Sequence, residues 1–97
     1  MQTQKQYTNE QKLNVWKKGS VVLWLDPNNF RLDQCWALIQ WGLYWNRDSQ
    51  NNAGREIDHI TPESNWGKDD LSNLRPLQWY NNVTKSDGRL TCPVKRT

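Results

Sequence analysis

Apolar positions are sparse along this chain, and their spacing changes from one segment to the next. Leu13, Val15 and Trp16 make a short stripe behind Thr8, which forms a capping-box pattern with Gln11. Gly19 suits the position just past a helix end, so the spacing predicts a helix from Thr8 closing at Gly19. SVVLWL, 20–25, is apolar and β-branched, and reads as a buried strand or an extended segment. DPNN, 26–29, is a turn signal, or an Asp cap with Pro at the first helical position. FRLDQCWALIQWGLYW is apolar nearly throughout, and periodicity does not separate helix from strand there. We read a short helix over 30–39 leading into irregular structure, and then a loop over 46–54.

From Arg55 the pattern sharpens. REIDHI alternates Glu56 and Asp58 on one side with Ile57 on the other, as a strand would, and Pro62 ends it. Residues 63–73 are rich in Asx, Ser and Gly and read as a long loop. LRPL is a short second strand whose Pro76 requires an edge or end position. QWYNNVTKSDG reads as a helix closed by Gly88. The order is strand, long loop, strand, helix: a ββα unit.

Composition narrows the class. The 97 residues are enough for one domain, and a mean hydropathy of −1.03 makes its core small. Seven tryptophans are expected to carry much of the packing, rather than to stack on bases. Net charge is +3, spread along the chain: residues 1–54 carry six Lys/Arg against four Asp/Glu, and residues 55–97 seven against six. Such a balance permits a polyanionic partner without demanding one. Cys35, Cys92 and His59 are the only Cys and His residues, too few for a four-ligand zinc site. A Cys35–Cys92 disulfide is possible on counting alone, but Cys35 is read as a small buried apolar residue. No apolar leader or membrane-length run is present in the sequence, so the expectation is a soluble, cytoplasmic protein.

His59 is the one imidazole, preceded directly by Asp58. On a regular strand their side chains would point to opposite faces, a rule that relaxes where the strand gives way to the loop. Asn82 and Lys85, three apart, share a helix face. If that face covers the strand end, Asp58 and Asn82 offer oxygen ligands to one hard cation such as Mg²⁺. His59 is then placed to deprotonate a water, and Lys85 to hold a neighbouring phosphate. That set suits phosphodiester hydrolysis.

The stretch EIDHITPES…KDDLSNLRPLQWYNNVTKSDG resembles the HNH, or ββα-metal, endonuclease finger, in its small stand-alone form without zinc-binding CxxC pairs. The resemblance is dense from Glu56 to Gly88, with 14 positions from His59 to Asn73 and nine from Asn73 to Asn82. It implies Asp58 and Asn82 as metal ligands, His59 as general base, Asn73 as the residue holding the His59 ring, Lys85 as a cation near the phosphate, and Glu56 as support for the metal site. It also implies one divalent ion, Mg²⁺ or Mn²⁺, and DNA as partner, with RNA not excluded. Arg55 stands where many relatives have tryptophan, and Trp66-Gly67 where the loop often reads Gly-Gly. Arg75, Lys68 and Arg89 are read as solvated surface charge.

The expectation is thus an α+β single domain over 1–97. It comprises a flexible start (1–7), a Trp-rich, partly helical support region (8–54), the metal finger (55–88) and a tail (89–97). As monomer or homodimer, without membrane attachment, it would cut DNA. A non-cleaving nucleic-acid-binding module and a Trp-mediated protein-interaction domain are the rival readings.

Overall fold

The computed structural model of the chain describes residues 7–95. The flexible start expected over 1–7 lies outside the described residues up to residue 6, whereas Tyr7 is buried in a cluster with Val15, Ile57 and Leu74. Helix α1, Asn9–Trp16, begins where the capping box sets it: Gln11 N donates to Thr8 Oγ1 at 3.1 Å, and Thr8 N to Gln11 Oε1 at 2.9 Å. Its end differs from expectation. The cap is a right-handed Lys17, and Gly19 does not adopt the left-handed conformation. Gly19 is there for close packing, since a Cβ on it would lie 3.0 Å from Arg31 Cβ.

The segment from 20 to 40 departs furthest from the sequence reading. Residues 20–25 make one bridge, Ser20 to Leu32, and then turn outward, leaving Leu23 and Trp24 88% and 75% exposed. Asp26 closes the DPNN turn by accepting from Asn28 N and Asn29 Nδ2 at 3.0 Å each. No helix covers 30–39. Instead β1 (Phe30–Leu32) and β2 (Leu38–Gln40) pair antiparallel, Phe30 opposite Gln40. Asp33 is the cause. Its Oδ1 accepts from the amides of Cys35 and Ala37 at 2.8 Å each, offering the backbone a turn in place of the helical ladder. Trp36 completes that turn in the left-handed region at φ 64°. Cys35 is buried as expected, but it is not a free thiol: it forms a disulfide with Cys92.

The ββα unit forms as read. β3 (Arg55–His59) and β4 (Leu74–Gln78) are antiparallel, Glu56 facing Leu77 and Asp58 facing Arg75. The flanking bonds Ile60 N to Asn73 O and Trp79 N to Gly54 O fix which pairs exchange hydrogen bonds. By that alternation Ile57↔Pro76 is a pair that exchanges none, so Pro76 deprives the ladder of nothing. Helix α2, Trp79–Lys85, is capped by the Gln78 side chain, which accepts from the amides of Tyr80 and Asn81. Ser86, at φ 49°, ends it, and Gly88 is not left-handed. The described residues thus hold two helices and two two-stranded antiparallel sheets, an α+β fold. No helix among them is long and apolar enough to cross a membrane.

The tryptophans divide. Trp16 is fully buried and Trp41, Trp45 and Trp79 are half-buried, but Trp24, Trp36 and Trp66 face solvent. The packing expected of all seven falls chiefly to a cage around Arg55. This guanidinium is buried, with its carbon 4.3 Å from the Trp41 ring centre, 4.9 Å from Tyr44 and 5.1 Å from Trp16. It also donates to Trp41 O at 3.0 Å from Nη2. Burial lowers the Arg55 pKa to about 10, still charged at neutral pH, and burial raises that of Tyr44 to about 12. Desolvated contacts of this kind contribute roughly 2 kcal/mol each, which offsets the cost of burying the charge.

The disulfide closes a span of 57 positions and ties the tail to the β1–β2 turn. Reduction, or the C35S/C92S double variant, should therefore lower the free energy of unfolding by up to about 4 kcal/mol on a chain-entropy basis. Urea denaturation with and without reductant measures this; identical midpoints would mean that the bridge is absent or idle.

Candidate active site

Helix α2 lies along β3 in the same direction, and this sets the register of the site. Two strand residues advance about 6.8 Å and three helical residues about 4.5 Å, so Glu56 and Asp58 can each meet one of Asn82 and Lys85. Asn82 Nδ2 donates to Glu56 Oε1 at 2.8 Å. Lys85 Nζ lies 3.2 Å from Asp58 Oδ1 and donates to the His59 carbonyl at 3.2 Å. The two carboxylates are buried, and each has an arginine on its other side: Arg75 Nε donates to Asp58 Oδ2 at 2.8 Å, and Arg47 Nη2 to Glu56 Oε1 at 2.8 Å. Arg75, read from sequence as solvated, belongs to this network through its cross-strand place opposite Asp58. Lys68 and Arg89 are exposed as expected.

Lys85 is turned inward. It is buried and tied to Asp58 and the His59 carbonyl, a place from which the ammonium balances the acid. Asn81, its neighbour in the motif, points elsewhere: Nδ2 donates to Asp33 Oδ2 at 3.1 Å and to Val94 O at 2.9 Å.

At the end of β3, opposite Leu74, stands His59. Its Nε2 lies 2.6 Å from Asp69 Oδ1, with the side chain 14% exposed. The Asn73 side chain makes its hydrogen bonds elsewhere than to the ring. Its Oδ1 accepts from Thr61 N at 2.8 Å, and its Nδ2 donates to Thr61 O at 3.0 Å and Lys68 O at 2.8 Å. An amide nitrogen has two hydrogens, and both are spent on loop backbone, so the residue expected to hold the ring staples the loop that surrounds it. Within that loop Gly67 passes so close to Thr61 that a Cβ would lie 1.7 Å from its carbonyl oxygen.

Asp58, Asn82 and Glu56 carry oxygens of the kind that a hard divalent cation takes, and both Asp58 oxygens are already held by Lys85 and Arg75. Asp58 and Asn82 are not hydrogen-bonded to each other, and a cation reaching Asp58 would compete with Lys85 for Oδ1. A second donor group lies on the loop side. His59, Glu63 and Asp69 each offer a ligand atom, all within 4.8 Å of one another. An ion there would occupy the imidazole and remove it from acid–base work. Asp69 was missed as a functional residue, although the Asp pair of KDDLSN stands in the motif. Nothing in the spacing indicates which of the two reaches the ring.

Glu56 shows no exposure, and Arg47 is its guanidinium partner, with a side chain 32% exposed. Arg47→Met should cost about 3 kcal/mol, because a buried carboxylate then loses its charge partner while water still reaches one side. Arg47→Met with Glu56→Gln should recover much of that loss in thermal denaturation. A single variant as stable as the parent would show that the pair carries no weight.

Comparison with known proteins adds one match: residues 46–88 fit the family model described as HNH endonuclease. Neither the curated proteins nor the solved structures provide a match to the chain. The matched span contains β3, the inter-strand loop, β4 and α2, and with them His59, Asn73 and Asn82. Over that segment, somewhat less than half of its length, the chain is similar to the HNH endonuclease family.

Proposed function

We propose that this protein is a metal-dependent endonuclease that hydrolyses phosphodiester bonds in DNA, with His59 as general base and a divalent cation, Mg²⁺ or Mn²⁺, held by Asp58 and Asn82. One observation carries the reading: the ββα unit gathers Asp58, Asn82, Glu56 and Lys85 between β3 and α2, on a strand whose last residue is the chain's only histidine. A single domain of the HNH family, 1–97, would then divide into a support region over 8–54, the finger over 55–88 and a tail over 89–97.

Each residue has a defined task in this reading. His59 takes the proton of the attacking water, a task suited to an imidazole nitrogen with its lone pair. A divalent cation supplies charge neutralisation at the phosphate when bound. Asp58 and Asn82 hold it with hard oxygens, and Glu56 orients Asn82 through the 2.8 Å bond. Lys85 offsets the charge of Asp58 and secures the His59 backbone, which keeps the base at a fixed place relative to the acid. Asn73 holds the loop in shape around that base.

The test is supercoiled plasmid with and without divalent metal. Cleavage should need Mg²⁺ or Mn²⁺, stop with EDTA and resume on re-addition. His59→Ala should reduce the rate at least about 100-fold, as removal of a general base does, with the fold and DNA binding retained. An active His59→Ala protein would remove the base assignment. A wild-type protein that binds plasmid under every metal and never nicks it would replace hydrolysis with binding alone. To separate the two donor groups, Glu63→Ala should leave metal-dependent cleavage intact, and Asp58→Ala should not.

A further inference from the structure

We infer that Asp69 is the positioning residue of His59: its carboxylate receives the Nε2–H and so presents Nδ1, with its lone pair, to the water. This rests on the nuclease reading given above and adds to it the residue that sets the orientation of the base. A neutral imidazole carries one N–H and one lone pair, and which nitrogen holds the proton is decided by the partner of the other. Among the described residues the ring's hydrogen-bonding partner is Asp69 Oδ1, at 2.6 Å from Nε2. A carboxylate accepts and does not donate when ionised, so the proton between them is the imidazole's. Nδ1 is thereby the basic atom. When it takes the water's proton, the resulting imidazolium has the Asp69 charge 2.6 Å from its other nitrogen. The O–H bond of water breaks, an N–H bond forms at Nδ1, and the hydroxide goes to phosphorus.

Three features hold the acid in place. Asp69 lies between Lys68, whose carbonyl is bound by Asn73 at 2.8 Å, and Asp70, whose carbonyl accepts from Asn73 N at 2.8 Å. The Asn73 staple thus fixes the backbone on both sides of Asp69. From the other direction the hydroxyl of buried Tyr7 donates to the same Oδ1, at 3.4 Å. The orienting role that the motif suggests for Asn73 is accordingly carried out at one remove: Asn73 places the segment, and Asp69 touches the ring. The Asp69 side chain is 44% exposed, so its effect is expected to be smaller than that of a fully buried acid.

One histidine makes the test clean. In ¹⁵N-labelled protein the only imidazole signals are those of His59. The wild type should show a protected, low-field Nε2–H proton. Asp69→Ala should lose it to exchange, with Asp69→Asn intermediate because the amide oxygen still accepts. In plasmid cleavage, Asp69→Ala should lower kcat about 10- to 100-fold with KM for DNA unchanged, Asp69→Asn should fall between, and melting temperatures should stay close to that of the parent. Asp70→Ala, the neighbouring acid, should leave both readouts unmoved. An unchanged Nε2–H signal in Asp69→Ala would overturn the inference. So would wild-type cleavage by Asp69→Ala beside an inactive His59→Ala. A wild type that cuts nothing while its Nε2–H signal still depends on Asp69 would sink the nuclease reading and leave the contact standing.

Discussion

Asp33 has no counterpart cation among the described residues, yet its carboxylate is buried, and the fold is organised around satisfying it. Oδ1 accepts from the amides of Cys35 and Ala37; Oδ2 accepts from Gln78 N at 2.9 Å and Asn81 Nδ2 at 3.1 Å. A buried charge without such bonds would be strongly destabilising. These bonds join three pieces distant in sequence: the β1–β2 turn, the last residue of β4 and the first turn of α2. They therefore fix where α2 begins and how it is rotated. With Asn81 held inward towards Asp33, Asn82 falls over Glu56 and Lys85 over Asp58. The geometry of the candidate site follows from an acid that takes no part in it.

The two arginines opposite the finger's carboxylates extend the same logic. Arg47 comes from the loop before β3, and Arg75 from β4 across the ladder. Each neutralises one acid from outside while α2 supplies Asn82 or Lys85 from above. The β3–α2 face thus sets three cationic groups, Arg47, Arg75 and Lys85, against two carboxylates, and a cation joining it competes with groups already present.

The support region also has a physical role. A finger of this type that lacks stapling zinc needs another source of stability, since two short strands and a seven-residue helix bury little apolar surface. Here the source is the Arg55 cage of Trp16, Trp41 and Tyr44, joined to the Cys35–Cys92 bridge. Arg55 stands at the first residue of β3, so the cage anchors the strand that ends in His59.

The amino-acid sequence by itself determined the elements whose signals are local: the Thr8–Gln11 capping box, the DPNN turn, and the strand–loop–strand–helix order from Arg55, whose motif spacing also brought out His59, Asp58, Asn73 and Asn82. It failed where a side chain's partner lies far along the chain. Residues 30–39 form a hairpin and not a helix because Asp33 bonds to the turn and to residues 78 and 81, beyond the reach of any periodicity. Cys35 is bridged because the tail returns to it across 57 positions. Asn73 staples backbone, and Asp69 meets the ring, because the loop folds back on itself between Thr61 and Lys68. Propensity and capping are settled within a few residues. The satisfaction of buried charge and the orientation of an imidazole are settled by neighbours that only the tertiary fold brings near.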